Sequence, residues 1–168
     1  MTGWRFATAF FLALGLWLGA EPPAFAAEAG PSGLPLPRFV ALKSDRINVR
    51  AGPGSRYPVV WVFQRKAMPV EVLNEFEQWR KVRDIDGAEG WVQQSLLTGR
   101  RSAIVVGERR VLWSEPDEGS IPLVVAEPGV QARLNKCQDA WCSIRIERDS
   151  GWMRREHLWG VYPKEIVK

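Results

Sequence analysis

The chain has 168 residues, 46% of them hydrophobic and 25% charged, with a net charge of +4. That is a globular composition with room for one ordinary domain or two very small ones, and it excludes a collagen-like or disordered polymer. One histidine and two cysteines exclude most zinc sites, which take three or four His/Cys ligands, and leave His157 as the sole imidazole for a catalytic triad. The mild basicity carries no implication of nucleic acid, and no cofactor or metal is expected.

The N-terminal segment reads as an export signal. Arg5 precedes Phe6–Ala20, fifteen uncharged residues rich in Ala, Leu and Phe. Ala24-Phe25-Ala26 then offers small side chains at the −3 and −1 positions of a cleavage site. The stretch is short for a bilayer core, which takes about 20 apolar residues. Residues 1–26 are therefore expected to form a cleaved signal helix, the alternative being an uncleaved anchor. The mature chain is expected to be secreted or periplasmic, without stable membrane insertion. No cysteine near the cleavage point supports a lipid anchor. Residues 27–37, with Gly30-Pro31-Ser32-Gly33-Leu34-Pro35-Leu36-Pro37, have linker chemistry. They read as an extended spacer, the alternative being a Pro-rich ligand segment.

Beyond the linker the sequence repeats. Trp79-Arg80-Lys81-Val82-Arg83, Asp86-Gly87-Ala88-Glu89-Gly90-Trp91-Val92 and Ser95-Leu96-Leu97 recur as Trp141-Cys142-Ser143-Ile144-Arg145, Asp149-Ser150-Gly151-Trp152-Met153 and Glu156-His157-Leu158. The offset is 62 residues before the Gly-Trp and 61 from it onward, so one residue is missing from the intervening turn. Two copies of one unit follow, bounded at 38–101 and 102–168, with the repeat itself running to about residue 163. In the first copy, Phe39–Lys43, Ile47–Val49, Val59–Phe63, Met68–Glu75, Trp79–Asp84 and Gly90–Gln93 read as short strands. Ala51–Ser55 and Asp86–Gly90 read as turns, and Gln94–Leu97, like Arg155–Leu158, as a single helical turn. Strands at this spacing with Gly/Pro punctuation predict an all-β chain of two small barrels or sandwiches. The short, strand-like connection at Arg100–Gly107 predicts a fixed arrangement of the two.

The string Leu42-Lys43-Ser44-Asp45-Arg46-Ile47-Asn48-Val49-Arg50-Ala51-Gly52-Pro53-Gly54 closes with Gly90-Trp91-Val92. Together with Glu75-Phe76, Trp79–Asp84 and the ending Leu158-Trp159-Gly160-Val161-Tyr162-Pro163, it resembles the bacterial SH3-like domains of secreted tandem proteins of proteobacteria. The resemblance implies two tandem SH3-like barrels of five or six strands each, in the periplasm or cell envelope. It further implies recognition of cell-wall peptide or glycan, or of another protein.

Cys137 and Cys142 flank Gln138-Asp139-Ala140-Trp141. Exported compartments are oxidising, so a disulfide across this hairpin mouth is expected. It closes a loop of about six residues, for which chain entropy gives about 2 kcal/mol. The residues 62 earlier are Glu75 and Arg80, which predicts that these positions oppose each other and that a surface ion pair replaces the disulfide in the first copy.

Strand alternation assigns the faces. Cys142, Ile144 and Ile146 share an inward parity with Arg80, Val82 and Asp84. Trp141, Ser143 and Arg145, like Trp79, Lys81 and Arg83, then point outward. In the SH3 resemblance the tryptophan opening this strand lies on the peptide-binding face. The alternative for Trp79 and Trp141 is packing against the neighbouring unit or the long loop. Trp91 and Trp152, after the turn glycines, are expected in the core. The Pro and Tyr of the proline-recognising form of the fold have no match at Gln93 and Leu96, nor at Arg154 and His157. An aromatic groove for PxxP ligands is therefore not expected.

The first copy carries twelve Lys/Arg against seven Asp/Glu, the second ten against ten. Arg46, Arg50, Arg56, Arg65 and Lys66 crowd the strand-and-turn region of the first. The candidate contact residues are Trp79, Lys81, Arg83, Arg50 and Tyr57 in the first unit and Trp141, Arg145 and His157 in the second. An acidic partner such as cell-wall peptide carboxylates or anionic lipid headgroups is the matching chemistry, the other reading of this charge being a solvated surface that aids solubility. The alternative is a protein–protein adaptor in an envelope complex without wall affinity. Asp84, Asp86 and Glu89 read as turn formers and solvated charge, and no phosphate loop, paired-histidine motif or serine elbow is present. The expected function is non-catalytic binding.

Overall fold

The computed structural model describes residues 28–168, and the expected signal helix at 1–26 lies outside them. A two-strand hairpin, β1 (Glu28–Ala29) and β2 (Pro35–Leu36), comes first. The first unit then runs β3 (Arg38–Leu42), β4 (Ile47–Arg50), β5 (Val59–Phe63), β6 (Pro69–Phe76), β7 (Trp79–Arg83), β8 (Glu89–Gln93), a 3-10 turn at Gln94–Leu96 and β9 (Leu97–Thr98). The second unit repeats this as β10 (Ser102–Val105), β11 (Arg110–Trp113), β12 (Pro122–Ala126), β13 (Gln131–Gln138), β14 (Trp141–Ile146), β15 (Asp149–Arg154), a 3-10 turn at Arg155–His157 and β16 (Leu158–Trp159).

The strand orders, β5-β4-β8-β7-β6-β3-β9 and β12-β11-β15-β14-β13-β10-β16, correspond element for element. Both units are SH3-like and all-β, as the resemblance implies, but with seven strands each where five or six were expected. The seventh strand of each is the two-residue closing segment after the 3-10 turn. Even the bulges repeat: the register shifts between Val72 and Asn74 and again between Leu134 and Lys136.

Alternation explains the cores. In β7 the inward residues Arg80 and Val82 are buried while Trp79, Lys81 and Arg83 are only partly covered. In β14 Cys142, Ile144 and Ile146 are buried. Leu42, Ile47, Val49, Val70, Val72 and Val92 complete the first core, and Val105, Leu112, Leu134, Met153 and Leu158 much of the second. β-Branched and aliphatic side chains on half-buried pleats supply the main stabilisation, at about 25 cal/mol per Å² of apolar surface buried.

The expectation that Trp91 and Trp152 are core residues is corrected. Parity places Gly90 and Val92, and likewise Gly151 and Met153, inside, so each tryptophan lies half-buried on the opposite face. The glycines are inside because strands cross closely there. A Cβ on Gly90 would lie 2.4 Å from Val49, and one on Gly151 2.4 Å from the Trp113 carbonyl oxygen. Only a residue without a side chain permits that approach.

The facing pairs predicted from the repeat are present. Cys137 is paired in register with Cys142 and bonded to it. Glu75 is paired with Arg80, with Nε 3.1 Å from the carboxylate. The ion pair is buried rather than superficial, and the segment read as a spacer is the reason. It folds back as the β1–β2 hairpin so that Ser32 donates to the Glu75 carboxylate from both its backbone N–H and its hydroxyl, each at 2.8 Å. Arg38 adds a contact at 2.6 Å. A second terminal segment covers the equivalent position in the other unit, where Val167 and Cys137 exchange backbone hydrogen bonds.

The units are joined by a seam. Phe39 packs edge-on against Trp159, with ring centroids 5.1 Å apart, and against Tyr162 at 4.7 Å. The Tyr162 hydroxyl donates to Glu71 at 2.6 Å, and Glu71 also pairs with Arg83 at 2.6 Å. Gly160, at φ +118°, lies so close to the Ser102 carbonyl oxygen and to Pro69 that a Cβ there would be 2.5 Å from the former. Arg65 donates to the Gly129 carbonyl and Gln131 to that of Lys66.

Burial by itself pushes the Glu75 carboxyl up, but Arg38 and the two Ser32 donors outweigh it and hold the group down at about 2, from 4.5. A depressed carboxyl contributes stability that is full above the unfolded value and is lost as pH falls through the folded one. Urea midpoints of the wild type are therefore expected to be flat near neutrality on this account and to fall between pH 4.5 and 2. Glu75→Gln leaves two guanidinium groups without their carboxylate. It is expected to be less stable at pH 7 by about 3 kcal/mol and to lack that share of the acid dependence.

Candidate functional site

The outward residues of β4 alternate with the buried Ile47 and Val49, which places Arg46, Asn48 and Arg50 along one wall of a groove. Trp79, at the start of β7, and Leu96, on the 3-10 turn, form the other wall of a space of about 400 Å³. The loop between β4 and β5 adds Ser55 and Tyr57. The end of β6 adds Phe76, and the groove continues between it and Tyr57. Tyr57 and Phe76 are 47% and 50% exposed, large aromatic surfaces at the mouth of a cationic channel.

Local chemistry fixes the loop. Arg50 Nη1 donates to the Tyr57 carbonyl at 2.7 Å, and the Tyr57 ring lies over Gly52, where a Cβ would be 2.4 Å from it. Within the groove Arg46 and Arg56 have no carboxylate within ion-pair distance among the described residues. Neither is ion-paired, although Glu77 lines the same groove beside Arg56.

The remaining candidates are differently placed. Lys81 is bound to Glu89 at 2.6 Å, on the same face as Trp91. Those contacts hold the Glu89 carboxyl below the usual carboxylate range, chiefly through the Lys81 hydrogen bond. Arg83 belongs to the seam through Glu71, which raises its pKa further. In the second unit the counterpart of the groove is closed. The Arg154 guanidinium lies 4.8 Å from the centre of the Trp141 ring and is held by Glu118, 2.8 Å away on the loop that corresponds to the Tyr57 loop. Arg145 is exposed and donates to Ser150 at 3.0 Å. His157 sits beside Glu156, its pKa lowered by burial and by the charge of Arg110. Asp84 accepts from the Asp86 and Ala88 amides, shaping the turn.

The structure thus brings together Trp79, Arg50 and Tyr57, and separates Lys81, Arg83, Arg145 and His157 from them. Sequence reading grouped Arg46 with the basic cluster but passed over Asn48, Ser55 and Phe76. Period-two alternation from Ile47 would have found Asn48, whereas the approach of the Phe76 turn depends on the hairpin's bend.

The bacterial SH3 domain profile matches residues 43–99 and again 106–160. The chain belongs to the bacterial SH3 domain family, and bacterial SH3 domains are binding modules. Among curated proteins none matches. Among solved structures, NlpC2 from Trichomonas vaginalis is similar at 13% identity over 73% of this chain and 48% of its own, with a TM-score of 0.34. NlpC1 from the same organism is 14% identical over 82% of this chain and 50% of its own, with a TM-score of 0.34. The chain spans about half the length of each. Among the described residues no helix is long and apolar enough to cross a membrane.

Gly52→Ala tests the loop. The added methyl displaces the Tyr57 ring, with an expected loss of about 1–3 kcal/mol as in other overpacked sites. Large shifts of the Tyr57 ring signals in NMR spectra, with the second unit's signals unmoved, are the expected readout.

Proposed function

We propose that this protein is a non-catalytic, exported binding module that recognises carboxylate-bearing cell-wall peptide or glycan through the groove of its first unit. The observation that carries the reading is the open groove around Trp79, where Arg46 and Arg56 lie outside any ion pair among the described residues, set against Trp141, which Arg154, held in place by Glu118, covers. Trp79 and Tyr57 supply broad, rigid contact surfaces of the kind that anchor interfaces. Arg46 and Arg50 supply forked donors suited to carboxylates. In the second unit Arg154 and Glu118 satisfy the same kind of surface internally, so ligand there would first have to displace them.

Export is supported by the uncharged stretch before Ala24-Phe25-Ala26 and by the cysteine pair, which forms a disulfide of the sort found in oxidising compartments. The adaptor role without wall affinity draws on the same groove with a protein partner.

Retention on purified wall sacculi distinguishes the two. The wild type is expected to be retained at low salt and released as salt screens the charges. Trp79→Ala is expected to weaken retention at least about tenfold, the loss of one aromatic anchor, while Trp141→Ala changes it little. Absence of retention at low salt rejects wall recognition and leaves the adaptor role. Clearing of a wall suspension by the protein would reject the non-catalytic assignment.

A further inference from the structure

A second concave site lies away from the Trp79 groove, in the cleft between the two units. It has a volume of about 540 Å³, within the range of small-molecule sites. Its apolar lining comes from both units, with Ala41 and Leu42 on β3, Ala67 before β6 and Ala132 on β13. Its cations come from distant parts of the chain: Lys43 after β3, Lys66 before β6, Arg100 on the connection and Arg133 on β13, all four exposed. No acidic residue lines the cleft. Arg101 also lines it and is held by Glu165, but none of the other four has a carboxylate within ion-pair distance among the described residues.

The backbone fixes where these cations start. The Ala67 N–H donates to the Leu42 carbonyl, and the Leu42 N–H to that of Met68, so the turn bearing Lys66 is tied to the strand end that precedes Lys43. Gln131 of the second unit donates to the Lys66 carbonyl at 3.1 Å, which ties the same turn across the seam to β13. Arg133 lies further along β13, paired in register with Ser102 of β10, and the Arg100 N–H donates to the Thr98 hydroxyl oxygen. Like charges gathered in one concavity repel one another and focus a positive field on whatever enters. A counter-charge in the cleft relieves that repulsion.

Charge and size select the counter-charge. A carboxylate carries one charge in a plane and is met by a single guanidinium fork. A phosphate carries about two near neutrality on a tetrahedral centre, and lysine point charges serve it as well as arginine forks do. Two linked phosphates match four cations more closely than one does, in a space larger than one phosphate fills.

We propose that the inter-unit cleft binds a diphosphate group through Lys43, Lys66, Arg100 and Arg133. The site is independent of the wall-recognition reading. The diphosphate arrives either on a free, soluble molecule or as the headgroup of a lipid.

Calorimetric titration of the full chain with inorganic diphosphate, inorganic phosphate and the tricarboxylate citrate tests the site, alongside co-flotation with phosphatidylcholine vesicles carrying farnesyl diphosphate. Diphosphate is expected to bind at least about tenfold more tightly than phosphate or citrate. Lys66→Gln with Arg133→Gln, and separately Lys43→Gln with Arg100→Gln, are each expected to weaken binding at least about tenfold as charge-assisted contacts are lost. Glutamine at position 66 keeps the backbone carbonyl to which Gln131 donates. Arg148→Gln with Lys168→Gln removes the same charge at exposed positions outside the cleft lining and is expected to leave binding unchanged. Flotation that the cleft variants lose assigns a lipid headgroup as the source, and soluble binding without it assigns a free diphosphate. The proposal is overturned if diphosphate does not bind, if phosphate or citrate binds comparably, if either cleft pair binds as well as the wild type, or if the control pair weakens binding as much as the cleft pairs do.

Discussion

Glu71 is the group on which the arrangement of the two barrels depends. It is buried on β6 of the first unit, and its carboxylate takes Arg83 on one side and the Tyr162 hydroxyl of the second unit on the other. A buried carboxylate without both partners would be costly, so the tail of the second unit is held where Tyr162 can reach. Burial, together with the adjacent Glu71, raises the Tyr162 pKa and keeps the phenol as a donor. The aromatic packing of Phe39 on Trp159 and Tyr162 adds apolar area to the same seam. With the units fixed in this way, the cleft between them has a constant shape and the Trp79 groove a constant orientation relative to it.

The two copies keep one backbone and exchange its chemistry position by position. A carboxylate and guanidinium face each other at one hairpin mouth, and two sulfurs at the other. Gln93, beside the open groove, becomes Arg154, which covers Trp141. Arg50 becomes Trp113, which faces Trp152 across β11 and β15. The Lys136 ammonium then sits 5.1 Å from the Trp152 ring. The second unit has turned Trp141, Arg154 and Glu118 on one another, whereas the first has left Arg46 and Arg56 outside any ion pair among the described residues.

Much of the fold was legible because the repeat gave each strand two independent readings. The six longer strands of the first unit, the paired 3-10 turns and the opposition of Cys137 to Cys142 followed from spacing and alternation. The outward parity of Trp79 followed in the same way. What did not follow was anything that required knowing which elements meet. The Gly-Trp motif looked like a core tryptophan, because the close crossing that demands Gly90 and Gly151 inside is a tertiary fact. The Pro/Gly segment at 30–37 looked like a tether, because its role depends on Glu75, more than forty residues away. The seam left one unread trace: Trp159 and Tyr162 have only Thr98 and Arg101 at the matching places of the first copy. The cleft left only Lys66, within the basic cluster of the first copy, since Lys43, Arg100 and Arg133 are unremarkable surface cations until the barrels dock.

The clasps at Glu75 and Cys137 bear on how this chain would respond to mechanical tension. A pull applied along the polypeptide enters one barrel through Ser32 and Arg38 on the Glu75 carboxylate, and leaves the other through two neutral backbone bonds between Val167 and Cys137. Hydrogen bonds to a charged group are worth about twice neutral ones, so the last residues, beyond the Glu165 that Arg101 holds, peel first. Behind them the disulfide keeps the mouth of the β13–β14 hairpin from extending past its own sulfurs while the strap gives slack.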